Sequence, residues 1–201
     1  MRTAAEALLR LRDPAARVSA HYLIDEAGTV FQLVAEDRRA WHAGVAAWAG
    51  LHDVNAASIG IELANPGHEW GYRPFPDAQL EALAELLREL RARHRIPPSG
   101  VVGHSDVAPA RKRDPGELFP WRWLAQRGLA IWPEKATPRP VDPLRARARL
   151  LALGYGLDAP SGGFVACVRA FQRRFRPARV DGVLDAETMG LLEALGGQPP
   201  S

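Results

Sequence analysis

Leucine returns at Leu80, Leu83, Leu87 and Leu90 along DAQLEALAELLRELRARH, the spacing that aligns one face of an α-helix. The pattern predicts a helix from Asp77 to His94 with the aspartate as its N-cap. SIGIELAN alternates instead, with Ile59, Ile61 and Leu63 on one face and Ser58, Gly60, Glu62 and Ala64 on the other, as a strand does. RVSAHYLID and TVFQLV are two more strand-like runs, and DEAG between them predicts a hairpin. Thr3 to Arg12 is rich in alanine and leucine and stops at Asp13-Pro14, which predicts a helix. GVVGHSD predicts a short strand, and Pro115 a first helical turn leading into PGELFPWRWLAQRG.

From Trp132 to Asp142 the chain becomes proline-rich, WPEKATPRPVD, and reads as a linker. Three short helical patterns follow it. The first runs from Pro143 to Leu153, and the second from about Gly163 to Arg174, with Phe164, Val168, Phe171 and Phe175 on one face. The third begins at Asp185 as N-cap and stops at Gly196-Gly197. The expected organisation is a first domain over 1–131, a linker over 132–142 and a small all-α three-helix domain over 143–197.

Composition narrows the class. The chain has 201 residues, 47% hydrophobic and 24% charged, which fits folded globular protein rather than disorder. A net charge of +3, mostly arginine, is too mild to argue for nucleic acid as a partner. The single cysteine, Cys167, excludes an internal disulfide and sits in the apolar FVACVRAF, where a buried thiol is expected rather than a nucleophile. No apolar run is long enough for a transmembrane segment, and MRTAAEALLRLRDP lacks the features of a secretory signal.

Chemistry gathers in GHSDVAPARKRDPG, where His104 and Asp114 lie ten positions apart with Lys112 between them. Each residue alone has an ordinary reading. Asp114 before Pro115 is a helix cap, Lys112 an exposed cation, and His104 a polar residue at a strand end. Glu62, the only bulky group on its strand face, is a solvent-facing charge or a carboxylate with room beside it. Together they match what hydrolysis of an unactivated amide requires. Imidazole and carboxylate suit Zn²⁺, a second carboxylate carries the proton, and a cation steadies the oxyanion.

The blocks VSAHYLID, FQLVAEDRRAWHAGVAAWAG, NAASIGIELANPG and VVGHSDVAPARKRDPGELFPW resemble the zinc-dependent N-acetylmuramoyl-L-alanine amidases of the AmiD type, over roughly residues 15–133. LLALGYGL, VRAFQRRFRP and DGVLDAETMGLL resemble the three-helix peptidoglycan-binding domain that follows in such enzymes. The resemblance implies an α/β fold, a mixed sheet flanked by helices, and cleavage of the amide between the lactyl group of MurNAc and L-alanine. It makes His104 and Asp114 zinc ligands, Glu62 the catalytic glutamate and Lys112 a transition-state lysine. His42, in AWHAG, falls in a block near the substrate groove, with structural packing as its other reading. His52, His68 and His94 receive no role, and Trp41 and Trp48 are candidates to stack on sugar or peptide, with core or wall as the commoner reading. Peptidoglycan or muropeptides are the implied partners of a monomer, in the periplasm or at the outer membrane.

One ligand of the family pattern is not found. It is a histidine on a strand preceding the first helix, whereas this chain opens at about TAAEALLRLRD. Three expectations stand side by side: a fragment or misassigned start, His21 as a substitute ligand, or a non-catalytic protein that only binds peptidoglycan.

Overall fold

The computed structural model describes residues 3–158 and 162–196, so the predicted stop at Gly197 lies outside the described residues. The chain divides into two compact units, Met1–Gly44 with Asp53–Arg95, and Val45–His52 with Ile96–Ser201.

The first unit is a small mixed sheet with flanking helices. Strands β1 (Tyr22–Ile24), β2 (Val30–Gln32) and β3 (Ile61–Leu63) lie in the order β2-β1-β3. β1 and β2 form the expected antiparallel hairpin. Its turn is closed by Asp25, whose carboxylate accepts from the amides of Ala27 and Thr29 at 3.0 and 2.7 Å. β3 runs parallel to β1, placing Glu62 opposite Leu23. β1 is wholly buried, whereas β2 faces solvent with Val30 and Gln32 exposed. Helix α1 (Ala4–Arg12), capped by the Thr3 hydroxyl, and helix α2 (Asp77–His94) both pack against β1.

Leu80, Leu83, Leu87 and Leu90 are all buried on α2, as their spacing requires. Asp77 is not the cap: Pro76 holds that position, and the aspartate occupies the first helical residue. Its charge favours the helix there through the macrodipole rather than through a capping hydrogen bond. Fully buried Gln79 donates its side-chain amide to the carbonyls of Ile24 and Ala64 at 2.9 and 3.0 Å, tying α2 to the ends of β1 and β3. At the far end of α2, Arg93 and His94 meet Glu36, which also accepts from the Tyr22 hydroxyl. The hydrogen bond from Arg93, then that from Tyr22, holds the Glu36 carboxyl down at about 2.

The second unit is helical. It contains α3 (His104–Val107), α4 (Trp121–Gln126), α5 (Pro143–Leu153), α6 (Phe164–Phe175) and α7 (Ala186–Gly196). Two expectations fail here. GVVGHSD forms no strand, and His104 opens α3 instead of ending a strand. The Val101 carbonyl is taken by the Arg174 guanidinium at 3.0 Å, and the Gly103 carbonyl by the amides of the following turn. Nor does a helix begin at Pro115. Pro120 interrupts the predicted segment, and because proline disfavours helical geometry before it, α4 starts just after.

The last three helices follow their sequence patterns closely. Asp142 caps α5, with Pro143 in its first turn. Asp185 accepts from the Thr188 amide at 2.9 Å at the start of α7. Val168, Phe171 and Phe175 of α6 share one core with Leu150, Met189 and Leu192. Gly154 ends α5 with φ +111°, and the Trp48 indole lies where a side chain would have to go, so only glycine fits. The segment 132–142 has neither helix nor strand, and Arg139 donates its amide to the Ala186 carbonyl at 2.9 Å. Cys167 is fully buried, and burial pushes its thiol up to about 11.

The Glu36 carboxyl is depressed below its ordinary range, so its contribution to stability is complete above about pH 4.5 and is lost as pH falls toward about 2. Thermal melting of Glu36→Gln is expected to vary less with pH across that window than melting of the parent. Parallel profiles would refute the assignment.

Candidate active site

Three of the five residues singled out in the sequence lie on one stretch of the second unit. His104 starts α3, and the chain then turns through Ala108–Arg111 before reaching Lys112 and Asp114. The turn is fastened at both ends. Ala108 accepts from the amide of Lys112 at 2.9 Å, and the Asp114 carbonyl accepts from the amide of Ser105 at 2.8 Å. This brings the His104 Nδ1 to 2.9 Å from the Asp114 Oδ2. His104 is largely covered, whereas the Asp114 side chain is 56% exposed. Desolvation pushes the Asp114 carboxyl up, but the hydrogen bond and charge of His104 and the charge of Lys112 outweigh it and leave it at about 2. Asp114 caps no helix, so the capping reading fails and the carboxylate's partner is the imidazole.

As a metal fit, the pair supplies one nitrogen and one oxygen donor on the solvent side of a fastened turn. Ligands about 2.0–2.1 Å from a tetrahedral zinc lie roughly 3.3 Å apart, so the observed separation needs to open by only a few tenths of an ångström. Among the described residues, no group of three His, Cys, Asp or Glu stands together as a metal site.

Glu62 and His42 belong to the first unit. Glu62 is half-buried on β3. The space left by Gly60, two residues earlier on the same face, is not open: a Cβ there would meet the His42 ring at 2.3 Å. Gly60 is therefore small because an imidazole packs on it. The amides of His42 and Ala43 both donate to the Asn55 side-chain oxygen, at 3.0 and 2.8 Å, which fixes the AWHAG turn.

His21 packs edge-on against His42, with ring centroids 5.6 Å apart. It is buried, and both its nitrogens are engaged. Nδ1 accepts from the Gly60 amide at 3.0 Å, so Nε2 carries the proton and donates to the Arg38 carbonyl at 2.9 Å. A histidine so held has no lone pair left for a metal, and His21 is a structural residue rather than a substitute ligand. Sequence reasoning missed this clamp, because its partners are backbone groups 17 and 39 positions away.

A small mixed sheet with flanking helices, together with an imidazole–carboxylate pair on a short turn, fits a hydrolase of the amidase class, and comparison with known proteins is specific. The profile of the N-acetylmuramoyl-L-alanine amidase family matches residues 1–117. The chain belongs to that family. It is 39% identical over 203 residues to AmiD of Escherichia coli K12, covering 89% of this chain and 74% of the relative. Against the 1,6-anhydro-N-acetylmuramyl-L-alanine amidase AmpD of Haemophilus influenzae it is 42% identical over 111 residues, 54% of this chain and 58% of the relative. The structure of E. coli AmiD in complex with anhydro-N-acetylmuramic acid-L-Ala-D-γ-Glu-L-Lys superposes with a TM-score of 0.85 at 38% identity, covering 95% of this chain and 83% of that one. AmpDh3 of Pseudomonas aeruginosa gives 0.86 at 34% identity, with coverage of 96% and 86%. The protein is thus an enzyme, a peptidoglycan amidase that hydrolyses the N-acetylmuramoyl-L-alanine amide.

His21→Ala strands the Gly60 amide and the Arg38 carbonyl and opens a cavity beneath His42. The expected loss is about 2–4 kcal/mol of stability, read by urea denaturation. A loss below about 0.5 kcal/mol would show that neither hydrogen bond matters.

Proposed function

We propose that this amidase is zinc-dependent, with His104 and Asp114 as metal ligands, Glu62 as the general acid–base, Lys112 as the oxyanion-stabilising cation and His42 in the wall of the substrate groove. The 2.9 Å approach of His104 to Asp114 carries the reading, since it joins two donors that zinc favours on a turn whose backbone is tied at both ends. Bound there, the ion would polarise the scissile carbonyl and lower the pKa of a water. The remaining chemistry belongs to the protein. Glu62 accepts the proton of the attacking water and returns it to the departing alanine nitrogen, so that no charged amide anion leaves. The Lys112 ammonium supports the negative charge that develops on the carbonyl oxygen. His42, braced on Gly60 by the Asn55 contacts, holds a rigid surface for the muramoyl or peptide part.

The relatives support a muropeptide substrate with a MurNAc or anhydro-MurNAc end. The E. coli AmiD structure holds an anhydromuramoyl tripeptide, and AmpDh3 was solved with anhydromuramic pentapeptide. We assign residues 1–131 to the amidase domain, 132–142 to a connecting segment and 143–197 to a peptidoglycan-binding domain. Such a module raises the local concentration of enzyme on a repeating polymer. No helix among the described residues is long and apolar enough to cross a membrane. The cell envelope is the proposed place of action, with the protein as a monomer.

The test is cleavage of an anhydromuramoyl tripeptide, followed as release of the free L-alanine amine. Glu62→Gln and Lys112→Met are each expected to lower kcat at least about a hundredfold, and a chelator should abolish release until zinc is restored. Release that is indifferent to chelator and to both substitutions would contradict the proposed roles.

A further inference from the structure

We propose that Arg174 and Tyr155 are positioning residues of the amidase centre, acting on His104 through the buried carboxylate of Asp106; this rests on the reading of His104 as a site residue. Asp106 is 1% exposed and lies two residues after His104 in α3. Burying a carboxylate is costly unless its oxygens are engaged, and here both are. Oδ1 accepts from the Tyr155 hydroxyl at 2.7 Å. Oδ2 accepts from the Gly103 amide at 2.8 Å and from the Arg174 guanidinium at 2.9 Å.

The second arm of that guanidinium donates to the Val101 carbonyl at 3.0 Å. One arginine of α6 therefore grips the chain on both sides of His104, and the Asp106 carboxylate fastens the residue immediately before it. The Arg174 plane is held in turn, 4.0 Å over the Trp121 ring. Tyr155 is held by the edge of Trp48, with centroids 5.1 Å apart. Because the Ser105 amide is bonded to the Asp114 carbonyl, a shift of α3 displaces both members of the imidazole–carboxylate pair.

Stability alone would be served by donors to Asp106 from any part of the fold. The observed contacts instead converge on residues 101–106, which bracket His104, and they come from residues 49 and 68 positions further along the chain. Helices assigned to wall binding thus also shape the catalytic turn. A lysine at position 174 could reach one of the two acceptors, but its single ammonium lacks the planar fork that meets both.

The test uses the full chain with Tyr155→Phe, Arg174→Lys and, as a control in the same helical unit, Arg149→Met, which loses contacts to Glu193 and Gly196. Tyr155→Phe and Arg174→Lys should each lower kcat about tenfold or more with KM within about twofold, as loss of an orienting partner does. Arg149→Met should lower the melting temperature and leave kcat at the parent value. Amide hydrogen exchange of the metal-free protein supplies the second readout: Tyr155→Phe should accelerate Ser105–Ala108 at least about tenfold while α7 is unchanged. Parent kcat with unchanged exchange in Tyr155→Phe would overturn the proposal, as would a fall in kcat that only tracks melting temperature across all three variants. A parent chain that cleaves nothing would count against the reading of His104, and unchanged exchange would then still overturn the clamp.

Discussion

A carboxylate with almost no access to water, that of Asp106, is the constraint on which the helical unit depends. Left alone in that environment it would oppose folding by several kcal/mol. Its three donors, a backbone amide, a phenol and a guanidinium, come from three separate parts of the sequence and can meet only when the unit is assembled. Burial and the Asp106 charge push the Tyr155 phenol well above its ordinary range, so it remains a donor. The short α3, too small to be stable by itself, is fixed by this network rather than by helix propensity. His104 takes its place as a consequence.

In the sheet unit the corresponding constraint is a neutral imidazole. His21 is bonded through both ring nitrogens to backbone groups, one of them on the approach to β3, and it supports the edge of His42. Three-residue strands have few ladder hydrogen bonds, so side chains that bond to backbone, His21 and Gln79, supply part of what a longer sheet would provide. Both are uncharged and almost completely buried, and each binds two separate stretches of chain.

Much of this was legible in the residues, for physical reasons that differ by element. The leucine stripe of α2 and the phenylalanine stripe of α6 were readable because burial acts on a local period. The hairpin was readable because Asp25 and Gly28 encode their own turn. The absence of a strand in GVVGHSD was not, because the Val101 carbonyl, which a neighbouring strand would have used, is taken by an arginine 73 positions away. Arg174, named in the sequence only as the end of a helical pattern, is 3% exposed, and its partners lie too far along the chain to be read from a local period. Gln172, equally hidden, accepts from Asp181 and Gly182 and donates to Val183 and Thr188. Of the site, residue types and order were visible, and the family resemblance assigned roles. The role of Gly60 as the seat of His42 needed the fold, since only the close packing of two chain segments reveals it.

The central claim is that the His104–Asp114 pair is a metal site, and zinc affinity tests it most directly. Competition with a chromophoric chelator on the whole chain should find one bound zinc, with affinity falling at least about tenfold in both His104→Ala and Asp114→Ala. Zinc held as tightly by both variants as by the parent would place the metal elsewhere and contradict the account.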